Sequence, residues 1–526
     1  VTPPEIAAAV QASAYRLILP EIVLLASACL LFVVALAAPL RGRGGLAGLL
    51  GLGGVFVAGL VAAAPNFGGG EVAWLLDLVR PAADGDAAAF ARTLTLFDPT
   101  GAAGFVRWLA LGTAALVLLL AWPELADDTA AESVACLLCV AAGTSLCGRA
   151  NDLVSLFLSL ELLSIPTYVL LMVGGRGRAG QEAAVKYFLL SVLSSGILLF
   201  GFSYLYGLAG STNLGAVVAT LTAGHAIAVS PLATLAAVLV VAGLGFRVTA
   251  VPFHFYAPDV YQGAPAGVAA VLATAPKLAG FVALARLLGL FHPAAALPFD
   301  ANRTLLPLFL WAVAVGTMTL GNVMALLQSD LRRLLAYSGV AHGGYMLIGL
   351  VTASAGVTAA GLPTGSDAVL IYLVAYTLMT AGAFAVLTHL GEGVRSADDL
   401  AGLGETHPVA AGSLAVCLVS LIGLPLTAGF VGKFVLFVTA FTAPTATPMG
   451  NLFRVLAVVA AVNAAIGAVY YLRLIGVMYL RSALHPRPAV GFTPALLAAV
   501  LCAAGTLAAG VYPKPVSDAA RVVAAR

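Results

Sequence analysis

Charge is scarce in this sequence. Asp, Glu, Lys and Arg make up 9% of its 526 residues against 61% hydrophobic residues, a balance that a water-soluble chain of this length does not carry without aggregating. Its solvent must be lipid. The 25 basic and 23 acidic residues, net +2, are scattered over connecting segments and form no basic run able to track a nucleic-acid backbone, so nucleic-acid binding is excluded. Cysteine is sparse too. All six (Cys29, Cys136, Cys139, Cys147, Cys417 and Cys502) fall inside or at the ends of apolar runs, where Cys behaves as a small hydrophobe. The CxxC of Cys136 and Cys139 has no second pair nearby to complete a metal or redox site. Iron–sulfur, haem, P-loop and dinucleotide fingerprints are all missing, so the chain is expected to hold no metal, redox cofactor or nucleotide of its own. Any electron chemistry belongs to partners.

Lysine is rarer still, with four against 21 arginines, a bias expected of a GC-rich bacterial genome. Lys514 sits in the C-terminal tail, but Lys186, Lys277 and Lys433 lie in or at the edge of apolar runs. An ammonium in a low dielectric is pulled toward neutrality and can load and release a proton, whereas a guanidinium stays charged. The alternative is snorkelling to a membrane interface, which applies best to Lys186, near the start of its run.

What the sequence does contain is apolar runs of about 20 residues, each long enough to cross a bilayer. They predict helices near 18–40, 46–64, 104–123, 130–148, 152–173, 184–208, 231–252, 262–290, 304–327, 332–353, 366–390, 408–440, 455–480 and 491–512, about fourteen in all. The opening segment Val1–Glu5 has no basic region or cleavage site, so the first run is expected to be a retained helix. Arg41, Arg43, Arg176, Arg178, Arg332, Arg333, Arg481 and Arg487 fall in alternate connections, which puts those connections in the cytoplasm and both termini outside. The mixed-to-acidic 391–407 connection stays on the cytoplasmic side because acidic residues count little for orientation. The long polar stretch at 66–103 is expected outside, as an ordered cap or a partner contact.

Several ionisable residues fall inside these spans. Glu161 is near the middle of its run, where a lone carboxylate costs at least about 2.5 kcal/mol and needs a partner or a proton. A structural ion pair or a permanently protonated carboxyl remain alternatives to a functional role. The run carrying Arg247 and His254 is interrupted by Pro252 and Pro258, which places Asp259 in the break. A second interruption has Gly423, Pro425 and Gly429 ahead of Lys433. Broken helices survive in bilayers only where they line polar cavities, and two of them suggest inverted repeats around an ion path. Between them lie Lys277, directly after Pro276, and His342, one turn before Tyr345 and Met346. A buried His is either a hydrogen-bonded core residue or a proton relay.

At this point the sequence resembles a family. SLFLSLELLSIPTYVL, QEAAVKYFLLSVLSSGILLFGFSYLYGLAGSTNL, VPFHFYAPDVYQGAPAGVAAVLATAPKLAGF and GLPLTAGFVGKF are similar to subunit N of the proton-pumping NADH:quinone oxidoreductase, respiratory complex I, from about residue 90 to 480. VYQGAP followed by TAPK looks more like subunit N than its sisters L and M or the cation/proton antiporter subunits. The resemblance implies an all-α polytopic membrane fold with two inverted five-helix repeats, at about 130–290 and 304–480, each with one broken helix. They are flanked by 1–129, with three helices and an external loop, and by 481–526, with the last helix and a tail. It implies a proton relay of Glu161, Lys186, Lys277 and Lys433, to which the residues themselves add Arg247, His254 and His342. One departure stands out: Arg247 occupies the seventh-helix position where the family usually has a lysine paired with the fifth-helix glutamate. FMN, iron–sulfur clusters, NADH and quinone would belong to partner subunits. The expected neighbours are subunits M, K and J and membrane lipids, in a bacterial cytoplasmic membrane. A stand-alone or Mrp-type cation/proton antiporter subunit is the alternative.

Overall fold

The computed structural model describes residues 17–36, 44–63, 101–125, 128–175, 177–223, 231–288, 305–355, 363–391, 393–443, 449–483 and 491–524. Most of the 66–103 stretch, the N-terminal segment and Arg41, Arg43, Arg176 and Arg487 lie outside the described residues. A backbone denied water must satisfy its own polar groups, and the apolar runs do so as helices. These are α1 Leu19–Leu36, α2 Gly44–Ala63, α3 Gly101–Ala121, α4 Ala130–Arg149, α5 Leu153–Gly174, α6 Gly177–Ala209 and α7 Leu214–Ala223. Next come α8 Pro231–Arg247, α9 Ala257–Gly263, α10 Ala266–Leu287, α11 Leu305–Leu326, α12 Leu331–Ser354 and α13 Gly365–Leu390. The last are α14 Pro408–Ile422, α15 Ala428–Phe441, α16 Gly450–Leu480, α17 Pro494–Val511 and α18 Lys514–Ala524. Among the described residues, eleven helices are long and apolar enough to cross a membrane, and Leu19–Ala35, α8, α14 and α15 are shorter apolar helices. The fold is an all-helical, multi-pass membrane architecture.

Helix starts follow capping chemistry. Asp152 accepts the Val154 N–H at 2.7 Å to open α5, Asp330 accepts the Arg333 N–H at 3.0 Å to open α12, and Thr364 with Asp367 forms a capping box on α13. Each satisfies N–H groups that have no partner within their own helix.

Two helices are interrupted, and the first breaks differently from expectation. The run predicted at 231–252 stops at Arg247, because Thr249 takes φ +56°, outside the helical region, and Pro252 beyond it has no N–H with which to continue the helix. His254 therefore lies in the break rather than on a helix, while Asp259 lies on α9 rather than in the break. Pro258 sits in the first turn of α9, where a missing N–H costs nothing, so it starts a helix instead of ending one. The span predicted at 262–290 is α10, and α9 lies between it and the break. The second interruption separates α14 from α15, with Gly423 at φ +90° and Leu426 at φ +69° flanking Pro425.

Burial sorts the helices into layers. The apolar windows of α10 and α12 are wholly buried, whereas only 33% of that of α16 is. Helices apolar on all sides but buried by protein form a centre, and those half-exposed present their apolar faces to lipid or neighbours. Around this centre α13 packs against α10, α12, α14, α15 and α17. Lipid tails are as apolar as Leu, so close packing rather than hydrophobic exclusion holds the helices together. On α11, a Cβ at Gly321 would lie 2.5 Å from the Ala341 backbone nitrogen, so only glycine allows α11 and α12 to approach this closely.

Candidate proton-relay site

The site is assembled from both interrupted helices and the central ones. Arg247 is the last residue of α8, at the end where the helix dipole is negative and where the Leu244, Gly245 and Phe246 carbonyls accept from the Val248, Ala250 and Thr249 N–H groups of the break. Its guanidinium reaches α5 and α6. Nη2 donates to Glu161 Oε1 at 3.0 Å and Ser195 Oγ at 3.3 Å, and Nη1 donates to the Leu160 carbonyl at 3.2 Å and to Ser164 Oγ. Ser195 Oγ in turn donates to Glu161 Oε1 at 2.6 Å. The Arg247 side chain is 3% exposed and that of Glu161 21%, so the pair opens to the chain's surface only on its carboxylate side. A buried charge is tolerable when it is paired and hydrogen-bonded in this way.

Lys277, 1% exposed on α10, donates to the Gly339 carbonyl and to Tyr376 Oη at 3.1 Å, and lies 5.0 Å from the centre of the Tyr376 ring. The Tyr376 ring is 5.6 Å from the His342 ring. His342 Nδ1 meets Tyr372 Oη at 2.5 Å and Nε2 meets Tyr471 Oη at 3.1 Å, and Tyr471 continues to Ser338. On its other side His342 is 5.6 Å from the Tyr345 ring, over which Lys433 Nζ sits at 4.7 Å. Lys433 Nζ donates to the Leu421 and Ile422 carbonyls at 2.9 and 3.0 Å, the free C-terminal end of α14. Lys277, His342 and Lys433 thus form one row, bridged by tyrosine rings and bonded to neutral acceptors. Each cation gains from the π face beside it.

The end of α8 packs against the helix that carries Lys277. A Cβ on Gly280 of α10 would lie 3.2 Å from Arg247 Cβ, so Gly280, one turn beyond Lys277, is what lets α8 approach Lys277's helix. His254 and Lys186 are not drawn in. His254 is half-buried, its Nδ1 has no hydrogen-bond partner, and its ring is 6.4 Å from that of Tyr337. Lys186 is 42% exposed and pairs with Glu182 at 2.6 Å and Asp259 at 3.2 Å. Among the described residues no group of three His, Cys, Asp or Glu could hold a metal.

Tyr372, Tyr376 and Tyr471 and the serines around Arg247 escaped sequence reasoning. A signal was available: Tyr372 and Tyr376 are four residues apart in IYLVAYTLMT, which places both hydroxyls on one helix face.

Residues 150–462 match the family described as NADH:quinone oxidoreductase/Mrp antiporter, TM. NADH-quinone oxidoreductase subunit N of Anaeromyxobacter sp. is 39% identical over 397 residues, 72% of this chain and 74% of that one. The chain belongs to the subunit N family. The subunit N of Geobacillus kaustophilus is 37% identical over 510 residues, 95% of each chain. Among solved structures, a chain of respiratory complex I from Thermus thermophilus, with bound aureothin, is 29% identical with a TM-score of 0.71, over 95% of this chain and 98% of that one.

Proposed function

We infer that this subunit N chain translocates protons in the membrane arm of an NADH:quinone oxidoreductase, coupling quinone reduction elsewhere in the complex to proton movement through its buried Glu, Lys and His residues. The observation that carries the reading is the row Lys277–Tyr376–His342–Tyr345–Lys433, in which basic groups at membrane depth are bonded to neutral acceptors. An ammonium without a carboxylate partner stays charged only as long as nearby fields allow.

Glu161 and Arg247 act as the switchable pair at the start of the row. At an effective dielectric near 20, a unit charge about 6 Å away changes an interaction by roughly 2–3 kcal/mol, or about two pKa units. Moving the Glu161 carboxylate away from Arg247 leaves a net cation against the helix that carries Lys277, which favours proton release from Lys277 toward His342 and Lys433. His342, bonded on both nitrogens to hydroxyls, can accept on one side and donate on the other. Arg247 keeps its proton throughout, and Lys186 and His254 serve the approach to Glu161.

In this reading the chain carries no redox cofactor, and FMN, iron–sulfur clusters, NADH and quinone are held by partner subunits. Its neighbours are the antiporter-like subunit M, the small subunits K and J, and lipid. It spans a bacterial cytoplasmic membrane with both termini outside. Adding α1 and joining α8 to α9 and α14 to α15 brings the eleven spans to fourteen, grouped as two five-helix repeats at about 130–290 and 304–480. The subunit N names of the relatives favour this over an Mrp-type antiporter subunit. In proteoliposomes holding the whole complex and driven by NADH, Lys277→Met and Lys433→Met are expected to assemble but lose most proton transport. Full transport in both would refute the relay.

A further inference from the structure

Helix α9 has seven residues, well below the roughly 12–15 at which an isolated helix is even marginally stable, so its position is set by what grips it. It is gripped from two sides. Asp259 Oδ2 accepts Lys186 Nζ of α6 at 3.2 Å, and Asp259 Oδ1 accepts Arg333 Nη1 of α12 at 2.6 Å. Glu182 holds Lys186 from the other side at 2.6 Å, and Gln262 of α9 accepts from the same Arg333 at 3.1 Å. One carboxylate on the detached half of a broken helix thus ties α6 to α12.

Beneath this clasp lies a closed set of rings. Tyr256, directly before α9, stacks on Phe246 at 4.1 Å and donates to the Phe246 carbonyl at 3.0 Å. Tyr187 lies 5.8 Å from Phe246 and 5.6 Å from Tyr256, and Tyr168 lies 5.6 Å from Tyr187. Tyr187, Phe246 and Tyr256 are all buried. Phe246 adjoins Arg247 in the chain; Tyr168 is about two turns along α5 from Glu161 and Tyr187 about two turns along α6 from Ser195, both toward Lys186. The rings therefore stand between the ion cluster and the Glu161–Arg247 pair.

We propose that Asp259 is the positioning residue of the proton inlet: bound to Lys186 and Arg333 it holds α9 and Tyr256 in place and keeps the ring set closed between the ion cluster and Glu161, and its release opens the way to that carboxylate from the Lys186 side. The side chains of Asp259, Lys186 and Arg333 are 43%, 42% and 27% exposed, and ion pairs so open to their surroundings are weak enough to break and re-form. The inference rests on the proposed relay and adds to it that Glu161 receives the proton on its way in.

The test uses the whole complex in proteoliposomes and two readouts, the decay of an imposed pH gradient without NADH and the protons moved per NADH oxidised. Asp259→Asn is expected to speed the decay severalfold and lower protons per NADH, with NADH oxidation by an artificial acceptor unchanged, while Asp259→Glu stays near wild type. Adding Glu161→Gln to Asp259→Asn is expected to suppress the extra leak. Wild-type decay and coupling in Asp259→Asn, or a leak that Glu161→Gln leaves untouched, overturns the proposal. If Asp259→Asn does not assemble, Lys186→Met and Arg333→Met each remove one of the two pairs and decide the matter by the same readouts. A failure of the relay itself appears separately, as full pumping by Lys277→Met with Asp259 intact.

Discussion

In the proposed relay, the electrostatics turn on Arg247. A guanidinium does not give up its proton at any pH a membrane protein meets, so its place beside Glu161 is that of a fixed charge. Arg247→Lys is expected to retain most NADH-driven proton transport, because an ammonium in the same place still supplies the charge. Arg247→Met is expected to lose most of it, because Glu161 is left with Ser195 alone. Undiminished transport by Arg247→Met in the proteoliposome assay would remove the fixed charge from the mechanism. Glu161, Lys277 and Lys433 were legible in the sequence because ionisable groups in apolar runs are too costly to be incidental. Tyr372, Tyr376 and Tyr471 were not, because tyrosine is common in such helices and only its cross-helix partners reveal a role. Lys186 was legible as a lysine but not as a clasp. The polar residues ahead of its apolar run, GRAGQEAA, continue α6 back to Gly177, so Lys186 stands beside Glu182 and Asp259 rather than in the core.

The two interrupted helices share a device. The first half of each ends at the negative pole of its helix dipole, with a buried cation at or against that end: Arg247 is the terminal residue of α8, and Lys433 donates to the last two carbonyls of α14. Gly423 makes the second arrangement possible in two ways. Its φ of +90° belongs to the left-handed region, and a Cβ there would lie 2.9 Å from Lys433 Cδ. Gly423→Ala is expected to cost roughly 1–3 kcal/mol from backbone strain and to displace Lys433 from the α14 end. Proton transport per assembled complex should then fall toward that of Lys433→Met, and wild-type transport would show that the lysine has no need of this geometry. Both breaks could be read from proline and glycine, but the first was placed five residues late. The sequence gives no sign that Thr249 would take a positive φ, and Pro258 favours a helix start as much as a stop.

Across the whole molecule, a second buried ion pair stands apart from the relay. Glu21 on α1 meets Arg107 on α3 through two contacts of 2.7 Å, and Ser145 on α4 donates to the same carboxylate at 2.5 Å. Both charges are within 2% of full burial, so they fasten the first helices to the rest of the bundle. Removing one partner of such a pair costs about 3–5 kcal/mol, while replacing both by apolar groups is often neutral. Arg107→Met is therefore expected to cut the amount of assembled complex recovered from membranes, and Glu21→Leu with Arg107→Met to restore it. Equal recovery of the single and double variants would mean the pair does not hold these helices. This pair, too, was hidden in the sequence, since 86 residues separate its members and only folding brings them together. The end of α14 has a consequence for the machine as a whole. Because the Lys433 ammonium is what satisfies that end, proton occupancy and the position of the half-helix are thermodynamically linked, and linkage is reciprocal. A mechanical pull on the half-helix transmitted from a neighbouring subunit must change the lysine's affinity for its proton, and a membrane voltage that loads or empties the lysine must push back on that neighbour with equal work.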